Sequence, residues 1–219
     1  CSKILRCEVK SPDVIIPAQT GIEKRRLSVK AVAFNGSPRA KGNTTLLIQH
    51  VFNVLGEEGI ETELVQLGQK KIQGCIACFK CFANRDQRCA VEDDMNELIA
   101  KIIEADGVIL GSPVYFANVT PQIKALMDRA GLVSTANGHL YARKVGAAVV
   151  AVRRAGAVTT YDALNHFLLY NAMIVPGSTY WNLGIGRNPG EVENDEEGLR
   201  TMHNLARNFA WVMKALKAA

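Results

Sequence analysis

Four cysteines lie close together in the middle of the chain, where their thiols could bind a metal. Their arrangement is Cys75-x2-Cys78-x2-Cys81-x7-Cys89. Zinc sites usually pair two short cysteine hooks across a longer loop. Three closely spaced cysteines followed by a fourth are instead typical of a loop that wraps an iron–sulfur cubane. The spacing therefore favours a cluster, with unligated thiols, a zinc site or a disulfide as the alternatives.

A second candidate for chemistry is a polar, glycine-containing segment at residues 35–45. Glycines allow close backbone approach, and the start of a helix offers unpaired N–H groups and a positive dipole, which together suit a phosphate. The side chains that could contact such an anion are Ser37, Arg39, Lys41, Asn43, Thr44 and Thr45. The P-loop and dinucleotide glycine patterns are both absent. The segment therefore favours one compact phosphate site over a plain polar turn.

The charge is unevenly distributed along the 219 residues, which carry a net charge of +5. Residues 1–30 contain seven basic and three acidic side chains, whereas the rest contains 19 and 18. A nucleic-acid-binding protein should instead carry a basic face on its folded body, so we expect no nucleic-acid partner. Cysteines clustered in this way indicate a reducing compartment, here the cytoplasm. The longest apolar run, Val145–Val152, is too short for a membrane span, so no membrane association is expected.

Strand and helix patterns alternate along the chain after an arm that contains two prolines. Strands are predicted at residues 27–34, 61–67, 107–110, 145–152 and 173–175, with helices between them and one after the last. Asn43 or Thr44 is predicted to cap the first helix. This alternation predicts an α/β, doubly wound, five-stranded parallel sheet of the flavodoxin-like order 2-1-3-4-5. Residues 1–26 are predicted to be an extended basic arm, and residues 27–219 the domain, with a cysteine-rich loop at 74–92.

In such a sheet, ligands bind beyond the carboxyl ends of the strands, so the loops after Phe34, Leu110 and Val152 should hold the site. Two of these loops carry recognisable motifs, GSPRAKGNT at residues 36–44 and GSPVYFANV at residues 111–119, and QIKALMDR follows at residues 122–129. They resemble motifs of the flavodoxin-like NADPH-dependent FMN reductase superfamily. With the cysteine segment and DDM at residues 93–95, the resemblance is to the iron–sulfur flavoprotein family and covers about residues 28–215.

The resemblance implies FMN as cofactor, with its phosphate on the first loop and its ring beside the second. The residues implied for the ring are Pro113, Val114, Tyr115, Phe116, Ala117 and Asn118, bordered in the third loop by Arg154 and Gly156. In that third loop the sequence departs from the glycine-rich pattern of the relatives. The resemblance also implies a 4Fe–4S cluster on Cys75, Cys78, Cys81 and Cys89. No catalytic side chain is expected, because flavin N5 carries the chemistry.

The function predicted from these features is electron transfer between the cluster and FMN. The donor would be NAD(P)H or a small redox protein such as ferredoxin, the acceptor a small molecule, and the protein a homodimer or homotetramer. One alternative is a cluster-free NAD(P)H-dependent reductase of FMN or quinones. Another, from a different class, is a regulatory module that binds an anion without redox chemistry.

Overall fold

The computed structural model describes residues 28–218 of the chain. The strands are β1 (Lys30–Asn35), β2 (Glu61–Gln66), β3 (Gly107–Pro113), β4 (Val145–Val152) and β5 (Leu183–Ile185). The helices are α1 (Asn43–Glu57), α2 (Lys80–Asn84), α3 (Met95–Glu104), α4 (Pro121–Ala136), α5 (Ala157–Tyr170) and α6 (Glu196–Ala218). All neighbouring strands pair in parallel, in the order β2-β1-β3-β4-β5. The predicted sheet order is therefore confirmed, whereas the arm predicted at residues 1–26 lies outside the described residues.

Helices cover both faces of the sheet because successive strand residues point to opposite sides. Val32 and Phe34 of β1 pack with α3, α4 and α5, whereas Ala31 and Ala33 pack with α1 and α6. Every residue of β4 is buried, which agrees with its nearly uniform apolar sequence. Of the helices between residues 28 and 218, none combines the length and the apolar character needed to cross a bilayer.

The fifth strand is not where the sequence pattern predicted it. Residues 173–175 form only an isolated bridge, between Ile174 and Val145 at the beginning of β4. β5 instead pairs with the other end of β4, where Val150 lies opposite Leu183 and Val152 opposite Ile185. The apolar character of the predicted segment has another cause, because Met173 is buried in the core against α5 and not in a ladder of strand hydrogen bonds.

Candidate functional site

The loop that follows β1 is tied closely to the loop that follows β3. The amide of Gly36 donates to the carbonyl of Gly111 at 2.8 Å, and the Thr120 hydroxyl donates to the carbonyl of Gly36 at 2.9 Å. A Cβ at Gly36 would lie 2.2 Å from Ile123 Cγ1 and 2.6 Å from Thr120 Oγ1, so a larger residue would require both side chains to move. The first and second loops therefore form one packed unit at the carboxyl end of the sheet.

Asn35, the last residue of β1, organises the first loop from beneath. Its fully buried side chain donates to Thr45 Oγ1 at 2.8 Å and to Gln66 Oε1 at 2.9 Å, and it accepts the Ser37 amide at 2.9 Å. Gln66 Nε2 in turn donates to the Ser37 carbonyl. The sequence pattern did not identify Asn35 as a site residue, because an asparagine before a glycine is an ordinary turn signal.

The first turn of α1 is open to an anion. Its N-cap is Gly42, not the predicted Asn43 or Thr44, and no side chain caps the helix. A glycine N-cap has no side-chain oxygen for the first-turn amides, so these remain available to a ligand. Arg39 and Lys41 are exposed beside this turn, and Thr44 is buried within it. The helix dipole, free amides and two cations make the loop chemically suited to a phosphate.

Three of the side chains predicted to contact an anion also help to shape the loop. The Ser37 hydroxyl accepts the amide of Arg39 at 3.2 Å, and the Thr45 hydroxyl donates to a carbonyl within the loop at 2.9 Å. Asn43 bonds to the segment 188–190, donating through Nδ2 at 3.0 Å and accepting at Oδ1 at 2.9 Å. These contacts hold the loop backbone in position, so the three side chains shape the surface that an anion would meet.

The second loop, residues 113–118, is a tight turn that displays an aromatic side chain at its tip. Tyr115 and Asn118 exchange backbone hydrogen bonds of 2.8 and 3.0 Å. Between them Phe116 and Ala117 have φ of 46° and 56°, the left-handed pair of a type I′ turn. The Phe116 side chain is fully exposed, and Tyr115 is partly so. The loop thus offers an apolar surface and backbone polar groups, which a planar aromatic ring system could contact.

The third loop packs directly against the second. Gly156 has φ of +86°, and a Cβ there would lie 2.9 Å from Ala117 Cα and 3.0 Å from Val114 Cγ1. The Thr159 hydroxyl donates to the carbonyl of Ala117 at 2.9 Å. Gly156 therefore permits both the backbone conformation and the close contact, while Arg154 stays exposed.

A cleft of about 530 Å³ lies beyond the third loop, on the β5 side of the sheet. Of the predicted cofactor residues, Arg154 and Gly156 line it, together with Tyr180, Leu183 and the beginning of α6. This volume lies within the range of small-molecule sites. The cleft therefore adjoins the predicted flavin rim without including the first loop, and it could accept a second small molecule.

The cysteine segment connects the end of β2 to α3, so it leaves the sheet at the same rim as the three loops. Its base is closed by Asp94, whose carboxylate accepts the Lys71 amide at 2.8 Å and whose own amide donates back at 3.2 Å. Cys89 is held through its backbone, because Asn96 accepts its amide at 2.8 Å and donates to its carbonyl at 2.9 Å. The ends of the segment are therefore firmly anchored to α3.

The predicted metal ligands line one small cavity of about 20 Å³, which also contains apolar side chains and Arg129. Cys75 and Cys78 are exposed, Cys81 and Cys89 are half-buried, and all four thiols are free. Burial raises the pKa of the Cys81 thiol. Between residues 28 and 218, no group of three or more His, Cys, Asp or Glu side chains is arranged to hold a metal ion. Four thiols are nevertheless the donor set that an iron–sulfur cluster uses.

Arg129 of α4 is buried behind the cysteine segment and binds it at several points. Its Nε donates to Cys89 Sγ at 3.3 Å, and its terminal nitrogens donate to the carbonyls of Gln73 and Val91 at 3.1 and 2.9 Å. It also forms an ion pair with Asp93 at 2.5 Å. Burial would raise the pKa of the Asp93 carboxyl, but hydrogen bonds from Arg129 and two backbone amides outweigh burial and lower it. In the sequence, Arg129 is the last residue of the motif at residues 122–129, but no local pattern indicates that its side chain is buried.

The sheet order and the three loops at its carboxyl rim define a flavodoxin-like protein. Consistent with this class, the chain superposes on the crystal structure of RosB with bound 8-demethyl-8-formylriboflavin-5'-phosphate with a TM-score of 0.74 and 22% sequence identity. That superposition covers 88% of this chain and 81% of RosB, and at this identity it supports the fold alone.

Sequence comparison identifies the family. The family model described as NADPH-dependent FMN reductase matches residues 29–188. The chain is 42% identical over 196 residues to an iron–sulfur flavoprotein of Methanocaldococcus jannaschii, covering 86% of this chain and 100% of that protein. It is 34% identical over 192 residues to an iron–sulfur flavoprotein of Methanosarcina thermophila, covering 86% and 97%. The chain therefore belongs to the iron–sulfur flavoproteins within the NADPH-dependent FMN reductase family, and it is an FMN-binding, flavin-dependent oxidoreductase.

Proposed function

We propose that this oxidoreductase transfers electrons between FMN and a 4Fe–4S cluster bound by Cys75, Cys78, Cys81 and Cys89. The main supporting observation is that all four cysteine residues line one small cavity, where Cys81 and Cys89 are half-buried and Cys75 and Cys78 are exposed. The names of the relatives, iron–sulfur flavoproteins, agree with this proposal. When bound, a cluster exchanges single electrons and a flavin can exchange two. The segment leaves the sheet at the rim that carries the flavin loops, which favours a short distance between the two groups.

We further propose that the FMN phosphate binds at the first turn of α1. The open amides after Gly42 and the exposed side chains of Arg39 and Lys41 support this assignment. In this arrangement the amides orient the phosphate, while Arg39 and Lys41 offset its charge. The buried side chain of Asn35 holds the loop in the conformation that aims those amides.

The ring of FMN is proposed to lie beside residues 113–118, with Gly156 and Arg154 at its border. The turn at Phe116 and Ala117 supplies the apolar wall, and packing of Gly156 against Ala117 fixes the position of that wall. Backbone groups of this turn would read the polar edge of the ring. Together with the phosphate loop, these contacts favour one mononucleotide over a dinucleotide.

The electron donor and acceptor are proposed by chemical class. Exposed thiols at Cys75 and Cys78 leave the cysteine segment accessible to a small redox protein such as ferredoxin. NAD(P)H is the other possible donor, and the 530 Å³ cleft beside Arg154 could accept NAD(P)H or a small-molecule acceptor. A cytoplasmic location and a homodimeric or homotetrameric assembly complete the proposal.

A cluster-free NAD(P)H-dependent reductase is the second candidate, and the description of the matching family model favours it. In this case hydride would pass directly from NAD(P)H to the flavin, and the cysteines would remain thiols. A regulatory module without redox chemistry, the alternative from another class, does not agree with membership of a reductase family.

The deciding experiment compares anaerobically purified wild-type protein with two cysteine variants. Iron, acid-labile sulfide, acid-extracted flavin and the absorption spectrum are measured for each. We expect wild type to contain FMN and a broad iron–sulfur absorption. Cys78→Ala should lose iron and sulfide but keep FMN. Cys7 lies outside the motif, so Cys7→Ala should keep iron, sulfide and FMN. Reconstituted wild type that takes up no iron, yet whose FMN is reduced rapidly by NAD(P)H, would establish the second candidate.

A further inference from the structure

Arg129 is the one arginine between residues 28 and 218 that is buried, and its side chain is 0% exposed. A buried guanidinium must be fully paired, because an unpaired buried charge costs several kcal/mol. Its partners divide into two groups. The terminal nitrogens bond to Asp93 and to two backbone carbonyls, whereas Nε points at the sulfur of Cys89.

The sulfur of Cys89 is distinctive among the four thiols. It is the sole one that accepts a hydrogen bond from a side chain within the part of the chain that the structure describes. Cys75 Sγ, by comparison, accepts the backbone amide of Ala77 at 3.4 Å. Cys89 is also held through both backbone polar groups by Asn96. Cys89 is therefore held firmly in place beside a positive charge, whereas Cys75 and Cys78 are exposed to solvent.

We propose that Arg129 is a positioning residue that orients the Cys89 thiolate toward the cluster and raises the reduction potential of that cluster. This inference rests on the proposed function. A charge-assisted N–H···S hydrogen bond withdraws electron density from the thiolate, and hydrogen bonds to sulfur and nearby charge set cluster potentials. The hydrogen bond to sulfur and the positive charge of Arg129 both stabilise the reduced cluster, because that state carries one more negative charge. Donation of an electron to the cluster therefore becomes easier.

A lysine at this position separates charge from geometry. Arg129→Lys keeps a cation near Asp93 but removes the planar fork, whose Nε bonds to sulfur while the terminal nitrogens bond to oxygens. Lys124 offers a matched control on the same helix, since it is exposed and pairs with Asp128 at 2.5 Å. Lys124→Met removes a surface charge from α4 without affecting a contact of the cysteine segment.

The test is an anaerobic redox titration of wild type, Arg129→Lys and Lys124→Met, with iron, sulfide, FMN content and thermal unfolding measured on the same samples. We expect Arg129→Lys to retain FMN and to shift the cluster potential to more negative values. The FMN potential should stay unchanged in the same titration, and Lys124→Met should match wild type. A cluster potential equal to that of wild type in iron-loaded Arg129→Lys would overturn the inference while the proposed function stands.

A second comparison covers the case in which Arg129→Lys does not hold iron. Cys89→Ser removes the ligand thiol itself, so Arg129→Lys should resemble it if the arginine acts through Cys89. Both variants should then keep FMN and a cooperative thermal transition. Loss of FMN and of cooperative unfolding in Arg129→Lys alone would overturn the inference, because the arginine would then support the whole fold. Wild type that takes up no iron would refute the proposed function itself, and this inference with it.

Discussion

Replacement of Asn35 by alanine should damage both stability and flavin binding. The substitution removes two hydrogen bonds donated by the amide and the acceptor of the buried Ser37 amide. Each net hydrogen bond contributes about 0.5–1.5 kcal/mol, so we expect a loss of about 2–4 kcal/mol in the free energy of unfolding. Because the same side chain fixes the loop after β1, the affinity for FMN should fall about 10- to 100-fold, equivalent to roughly 1.4–2.8 kcal/mol.

Urea denaturation of the apoprotein and fluorescence titration with FMN would measure the two effects separately. Asn53→Ala is the matched control, since Asn53 is exposed on α1 and accepts one hydrogen bond, from Gln49 at 3.0 Å. That variant should change stability by less than about 0.5 kcal/mol and leave FMN affinity intact. Asn35→Asp keeps an acceptor for the Ser37 amide but places a negative charge beneath the phosphate loop, so its FMN affinity should fall at least as far. Wild-type affinity in Asn35→Ala would refute this account of the loop.

Three further predictions concern packing and charge. Gly138 has φ of +81° and no atom near its Cβ position, so Gly138→Ala should lower the free energy of unfolding by about 1 kcal/mol. Gly156→Ala should lower it further and weaken FMN binding, because the new Cβ would meet Ala117. Equal losses in the two variants, with normal FMN affinity, would contradict the packing of the third loop on the second. The buried Tyr141 hydroxyl has no hydrogen-bond partner among residues 28–218. Tyr141→Phe should therefore raise the free energy of unfolding by about 0.5–1.5 kcal/mol, and a lower value than that of wild type would contradict the absence of a partner. Hydrogen bonds from two lysines lower the pKa of Glu63, so these contacts stabilise the fold above the unfolded pKa of about 4.3 and lose this effect as the pH falls through the folded pKa. Glu63→Gln should therefore lower the free energy of unfolding by about 0.5–1 kcal/mol at neutral pH and by little in acid. A difference from wild type that does not change with pH would argue against the ion pairs.

Local patterns predicted most of the elements correctly, because burial on one face leaves a periodic trace. Met95, Leu98, Ile99 and Ile102 follow helical spacing, and all four are buried in α3. β4 was recognisable because a strand covered on both faces needs an apolar residue at nearly every position. The fifth strand was assigned wrongly, since residues 173–175 and 183–185 are both short and partly apolar. Pairing with the second half of β4 depends on chain geometry that such a short segment does not encode.

Some residues of the candidate site could likewise be predicted from local patterns, whereas the roles of others depend on distant partners. The motifs after β1 and β3, and the spacing of the four cysteines, are local features, so the sequence by itself determined the family and located these loops and the cysteine segment. That the loops bind the flavin stays a prediction. The roles of Asn35 and Arg129 were decided by the tertiary structure, because their partners lie up to 31 and 56 residues away. An asparagine at a turn and an arginine on a helix are common residue types. What distinguishes them is burial, which obliges each polar group to find a partner, and only the folded chain determines which partners are within reach.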